Sequence, residues 1–296
     1  MSLSPSARLR AAPGAPDVLT RSAVVAAEEN PLVRAVAKWL ANRRYAAWRK
    51  AHPGASFGDF YAATITAKLT RGRRHPTLGQ RGWKGAGKAA DWDRASFAAR
   101  GAGKWARIQA LGVRPDMRCV DYGCGSLRIG QHAIRALAPD HYFGLDVTDH
   151  FFRLGLEMID PALLEEKQPR LAVIGDEAIA AVRAWRPDFI FANAVLQHVP
   201  PDDLLLFFER LERMMAPQTV ACVIFVSGSG VEQIGAMSWR YGPATLAAAA
   251  AAAAPGLSAG FEPYNSGAED PRGRERMVLT LRNRALAAGI EAQAAE

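Results

Sequence analysis

Cysteine is scarce in this chain: three in 296 residues, at Cys119, Cys124 and Cys222. An odd, sparse set argues against a disulfide framework or a zinc site and fits a reducing compartment. Long apolar runs are also missing. The best one, residues 246–254, is almost all alanine and too short to span a bilayer, so no transmembrane segment is expected. The N-terminus lacks the continuous apolar stretch of a secretory signal. Residues 2–16 are rich in Ser, Ala and Arg without acids, faintly like a transit peptide, and read instead as a tail. A cytoplasmic protein is the expectation. Acids, finally, are rare in one region. Residues 32–118 hold 19 Lys and Arg against 4 Asp and Glu, whereas residues 119–296 hold 15 against 22. A strongly basic N-terminal third is joined to a mildly acidic remainder, an asymmetry that concerns partners more than fold.

What is present is ordinary for a globular protein: 49% hydrophobic and 22% charged residues exclude collagen and wholesale disorder. Residues 1–30 have little periodicity and read as a disordered tail. Pro31 suits the first turn of a helix. Leu32, Val33, Val36, Trp39 and Leu40 then recur at helical spacing as one apolar stripe, expected to face a core, until His52-Pro53-Gly54 stops it. A second helix is predicted over 57–69, with Phe57, Phe60, Tyr61, Ile65 and Leu69 on related faces. Residues 70–90 are glycine-rich and basic and read as a loop or substrate arm. Helical pattern returns over 93–111 and ends at Gly112.

The texture then changes. Strands are predicted over 118–121, 141–146, 171–174, 189–193, 219–226, weakly 257–262, and 277–281. Helical stretches over 127–138, 151–159, 177–184 and 202–215 separate the first five, and one over 246–254 precedes the sixth. Strand and helix in alternation imply an α/β fold with a parallel sheet wrapped by helices. The expected organisation is a tail (1–30), a basic helical extension for substrate recognition (31–100), a main domain (101–284) and a C-terminal tail (285–296). A chain beginning near Asp91 is expected to fold.

Chemistry concentrates at Asp121-Tyr122-Gly123-Cys124-Gly125-Ser126-Leu127-Arg128, where a strand enters a glycine-rich turn and then a helix. Glycines let backbone approach a ligand, and the helix start offers free amides. A dinucleotide fingerprint needs a third glycine where Arg128 stands, so that reading fails. An acid two residues before Gly123 would repel a pyrophosphate and suits a ligand bearing ammonium and sulfonium charges.

Asp121-x-Gly123-x-Gly125 resembles motif I of class I S-adenosylmethionine-dependent methyltransferases, and residues 100–284 follow that family's spacing. The resemblance implies a Rossmann-like, seven-stranded, mostly parallel sheet with helices on both faces, its last strand antiparallel and supplied by 277–281. It implies S-adenosylmethionine as cofactor, held by Asp121, Gly123 and Gly125. Asp146, 21 residues after Gly125, would take the ribose hydroxyls. Asp176 would face the adenine and Asn193 the site, although either residue also suits a local helix cap or strand end. In Leu196-Gln197-His198-Val199, His198 is the candidate catalytic residue, as a general base or as a polar wall orienting the acceptor; bracing the loop is its structural alternative. No metal is expected.

The fourth strand lacks the proline-rich Asn-Pro-Pro-aromatic loop of enzymes that methylate base amino groups, which weighs toward a small-molecule or glycan-type acceptor, methylated at oxygen or nitrogen. The basic arm, with Arg71, Arg73, Arg74, Arg81, Lys84 and Lys88, implies an anionic partner. An anionic sugar, a lipid-linked glycan and a membrane surface all fit that charge, nucleic acid fits it as a less favoured partner, and a solvated basic face with no partner is the alternative. An RNA-directed methyltransferase and a non-catalytic binding protein on the same fold are the alternatives.

Overall fold

The computed structural model describes residues 30–71, 94–264 and 275–284. The expected N-terminal tail up to residue 29, the arm from residue 72, and the C-terminal tail lie outside the described residues.

The centre is a seven-stranded sheet. Its strands are β1 (Cys119–Tyr122), β2 (Tyr142–Asp146), β3 (Arg170–Val173), β4 (Phe189–Asn193), β5 (Val220–Val226), β8 (Leu257–Pro263) and β9 (Arg276–Asn283). Their order is β3-β2-β1-β4-β5-β9-β8. The pairs from β3 to β5 are parallel, and β9 runs antiparallel between β5 and β8. This is the Rossmann-like sheet implied by motif I, with the last strand reversed. Two further strands, β6 (Val231–Gly235) and β7 (Ser238–Tyr241), form a separate antiparallel hairpin.

Helices cover both faces. In chain order they are α1 (Pro31–Ala51), α2 (Phe57–Thr70), α3 (Arg94–Ala99), α4 (Ala102–Gln109), α5 (Gly130–Ala136), α6 (Asp149–Leu156), α7 (Pro161–Lys167), α8 (Asp176–Trp185), α9 (Leu204–Met214) and α10 (Pro243–Ala253). Successive residues of a strand point to opposite faces, so β4 feeds two cores. Phe189 and Phe191 join Trp105, Leu127 and Ile134 on one side. Ile190 and Ala192 join Phe57, Phe207 and Trp239 on the other.

Chain order places the cleft. From β1 the chain winds outward through β2 to β3, then returns to the other side of β1 for β4 and β5. Helices after β1 and β4 leave in opposite directions, and a crevice opens at the strands' C-terminal ends.

Four expectations are corrected. The helix over 93–111 is two helices, α3 and α4, broken at Gly101 (φ +95°). A Cβ there would lie 1.9 Å from the Arg128 carbonyl oxygen, so only glycine lets these backbones meet. The helix after β1 starts at Gly130 rather than 127, because residues 124–129 are spent on a tight loop that puts Leu127 at φ +58°. Helix α7 was not expected, although Asp160, whose carboxylate caps the Ala162 N–H at 3.0 Å, and Pro161 signal its start. The stripe Leu32, Val33, Val36, Trp39 and Leu40 faces away from the described core. Helix α1 meets the body through its opposite side: Lys38 donates to the Gln233 carbonyl, and Tyr45 and Trp48 pack on Phe60.

Candidate active site

The cavity at the C-terminal ends of β1, β2 and β4 encloses about 790 Å³. One wall is backbone. Gly123 (φ +81°) and Gly125 (φ +56°) turn the chain out of β1, and both line the cavity with Ser126. A Cβ at Gly123 would come within 2.3 Å of the Val195 side chain, so the loop after β1 and the loop after β4 touch only because that residue is glycine.

Asp146 ends β2 on the same wall. It is buried, and its Oδ2 accepts the Gly125 N–H at 2.8 Å. Burial pushes its carboxyl up to about 6, against the opposing pull of the N–H groups of Gly125, Val147 and Thr148. The carboxylate thus ties the two cofactor-type motifs of the sequence together. Asp121 lies beneath this wall rather than on it. Its Oδ2 accepts the Tyr142 hydroxyl at 2.9 Å, and burial pushes it up to about 7.

Asn193, at the end of β4, lines the cavity as expected. Asp176 does not. It stands exposed at the start of α8 and pairs with Arg213 of α9 at 2.7 Å. Val147 and Ile174, apolar positions that follow β2 and β3, occupy the wall instead.

His198 lies across the cavity, mostly buried. Its Nδ1 is 3.3 Å from the Met237 carbonyl oxygen. A carbonyl can only accept, so Nδ1 carries the hydrogen and Nε2 is left as a base, 3.2 Å from the Gln197 side-chain nitrogen that can donate to it. Burial holds the imidazole below its usual value, with the Met237 contact opposing in part, so it is neutral at pH 7.

Sequence reasoning missed much of this second wall. Helix α2 lends Phe57, Gly58 and Tyr61. The Tyr61 ring lies 5.5 Å from His198, and burial together with the Asp146 charge pushes its hydroxyl up to about 12. The Phe57 N–H donates to Asp203 at 2.8 Å, and its ring meets Trp239 edge-on at 5.2 Å. Behind this wall, the β6–β7 hairpin sets the Met237 carbonyl against His198 and the Trp239 ring against Phe57. Its one signal was the period-two pattern of Ser238-Trp239-Arg240-Tyr241 after a short glycine-containing turn; Val231-Glu232-Gln233-Ile234 does not alternate. Four cations, Arg100, Lys104, Arg128 and Arg210, also line the cavity, against two acids, Asp146 and Asp203. Among the described residues no cluster of His, Cys, Asp or Glu could hold a metal, and no helix is long and apolar enough to cross a membrane.

Solved structures similar to this chain include magnesium protoporphyrin IX methyltransferase from Synechocystis PCC 6803 with bound SAM. It is 13% identical with a TM-score of 0.51, over 78% of this chain and 100% of that one. A TehB-like SAM-dependent methyltransferase from Corynebacterium glutamicum is 15% identical with a TM-score of 0.43, over 77% of this chain and 98% of that one. At these identities the likeness is one of fold: this chain has the fold of class I methyltransferases. No family model and no curated protein matches it.

Proposed function

We propose that this protein transfers a methyl group from S-adenosylmethionine to oxygen or nitrogen of a small-molecule or glycan-type acceptor, with an anionic acceptor favoured. The observation that carries this reading is a cavity that has the Gly123–Gly125 turn and Asp146 on one wall and the His198 imidazole on the other.

The residues present fit the cofactor. A backbone wall at Gly123 and Gly125 offers close approach, and the buried Asp146 offers a carboxylate for two ribose hydroxyls. Val147 and Ile174 offer an apolar seat for a flat base; Asp176, paired with Arg213, does so poorly. Asp121 acts from below, where it fixes Tyr142 and adds negative potential near the turn. Asn193 closes the cleft beside Val195.

S-adenosylmethionine supplies an activated methyl group on a sulfonium, so the protein mainly aligns acceptor and donor and excludes water. Tyr61, Phe57 and Val199 furnish an apolar wall for that purpose. His198 would serve as the base, its Nε2 accepting the proton of an acceptor hydroxyl as it attacks, or of an ammonium group before its nitrogen attacks, while the S–CH3 bond breaks and the sulfur keeps its electron pair as a neutral thioether. The cations around the cavity suit an acceptor that carries carboxylate or phosphate.

The test is labelled methyl transfer from S-adenosylmethionine into fractionated cell extract, sorted by RNA, lipid, glycan and small molecule, beside calorimetry with the cofactor and with NAD. Label is expected in the small-molecule or glycan fraction. NAD binding without cofactor binding would overturn the reading, and label confined to RNA would overturn the acceptor class. With the acceptor in hand, His198→Gln should lower kcat by about a hundredfold or more and flatten the acid limb of the pH–rate profile. A rise in KM alone would make His198 a positioning residue.

A further inference from the structure

We infer that helix α1 is a docking element for an anionic lipid surface: its outward stripe of Leu32, Val33, Val36, Trp39 and Leu40 enters the headgroup boundary, and its cations meet the lipid phosphates. This goes beyond the methyl-transfer reading and does not rest on it.

The stripe is exposed as a block. Leu32 is 74% exposed, Val36 55%, Trp39 54% and Leu40 49%, and together with Val33 they are five of the eight large hydrophobic side chains that stand exposed among the described residues. Scattered apolar side chains on a surface need no explanation, but a continuous row along one helix does. At 100° per residue these side chains share one side of α1, opposite the positions that meet the body, Lys38, Ala41, Tyr45 and Trp48. The helix is thus amphipathic in an unusual sense. Its polar and aromatic side is held by the protein, through the Lys38–Gln233, Asn42–Gln233 and Arg49–Asp202 contacts, while its aliphatic side is presented outward.

Charge selects the partner. Helix α1 holds six cations and no acid: Lys38 and Arg49 are engaged with Gln233 and Asp202, Arg34 shares their side, and Arg43, Arg44 and Lys50 lie on or beside the stripe. A second copy docked through the same face would set these cations against each other, since a two-fold contact pairs like patches. Nucleic acid would match the charge and could stack on Trp39, but it has no use for Leu32, Val33, Val36 and Leu40. A membrane interface uses both halves: aliphatic side chains and tryptophan at the acyl boundary, Arg and Lys at the headgroups. Arg43 already lies 4.8 Å over the Trp39 ring, which brings cation and interfacial aromatic together.

A neighbouring cleft extends the surface. About 210 Å³ lies between α1 and α2, lined by Ala37, Leu40, Arg44, Phe60, Lys68 and Met237. Leu40 belongs to both stripe and cleft, so the apolar row continues inward to the segment whose Met237 carbonyl faces His198.

The experiment is co-sedimentation of the full chain with phosphatidylcholine vesicles, with and without about 30% phosphatidylglycerol. Two variants accompany it: Leu32→Ser/Val36→Ser/Trp39→Ser, and Arg43→Gln/Arg44→Gln/Lys50→Gln. The wild-type chain should partition onto anionic vesicles and weakly onto neutral ones. Each triple substitution should lower partition by at least about tenfold, and the serine variant should melt at the wild-type temperature without lipid. No binding to anionic vesicles at low salt overturns the proposal. So does a serine variant that binds as well as wild type, the signature of a purely electrostatic surface that RNA would share. A serine variant that loses thermal stability, or turns from dimer to monomer, overturns it too, because the chain itself or a second copy would then cover the stripe.

Discussion

The two walls of the cleft differ in material and in reach along the chain. The wall at the ends of β1 and β2, proposed to hold the cofactor, is backbone plus one carboxylate: Gly123, Gly125 and Asp146 come from consecutive strand ends within 24 residues. The opposite wall is side chains, with Phe57 and Tyr61 from α2, His198 from the loop after β4, and Phe207 and Arg210 from α9; the Met237 carbonyl of the hairpin braces His198 from behind. A wall of main chain is rigid and indifferent to most substitutions other than those of its glycines. A wall of side chains gathered from distant segments can be re-cut without disturbing the sheet, so it is where acceptor choice can vary on a constant fold.

The largest expected effect breaks the second wall. Phe57→Ala empties a buried site between Tyr45, Trp239 and Phe60 and should cost about 3–4 kcal/mol in urea unfolding. The basic extension was expected to be separable at Asp91. A loss below about 1 kcal/mol in the main transition would support that boundary and make α2 an appendage. The full loss would make α2 part of the common core.

Asp146→Asn attacks the first wall. The ionised acceptor of two ribose hydroxyls is lost, worth about 3 kcal/mol, so cofactor affinity should fall about a hundredfold by calorimetry. Folding stability should hold, since the Asn oxygen can keep the Gly125 N–H. Affinity within about threefold of wild type would remove Asp146 from the cofactor site.

The smallest effect is one of pH, and it sharpens the contrast because it belongs to the first wall alone. Hydroxyl donors favour ionised Asp146, whose carboxyl sits at about 6. Cofactor affinity should therefore be about fourfold weaker at pH 5.5 than at pH 7.5. The contribution of Asp121 to ligand-free stability should run the other way. Burial raises its carboxyl to about 7 in the folded chain, so the stability carried by its protonated form is full below its unfolded value and is lost as pH rises through 7. Asp121→Asn should accordingly flatten the fall in melting temperature between about pH 5 and pH 7.5. Calorimetry and thermal melts at matched ionic strength check both signs.

Much of this was legible in the chain, and unevenly so. The seven strands of the central sheet were found within a residue or two because strands buried on both faces write themselves as short apolar runs, as β1 and β2 do; the two of the partly exposed hairpin, β6 and β7, were missed. The turn at Gly123 was legible because positive φ and close approach demand glycine locally. Periodicity misread α1, because an apolar stripe announces an apolar environment without saying whether protein provides it. The break at Gly101 was hidden because its cause, the Arg128 carbonyl, lies 27 residues away.

What the sequence determined by itself was therefore the chain order of the seven central strands and the chemistry of the turn after β1, since both depend on neighbours in the chain. Only the tertiary structure decided that Asp176 belongs to Arg213, that Asp121 lies below the cleft, and that α2 and the β6–β7 hairpin face His198. Those contacts join residues 21 to about 140 positions apart. Side chains so far separated become neighbours only when the sheet's winding sets their distance, and no local propensity encodes that distance.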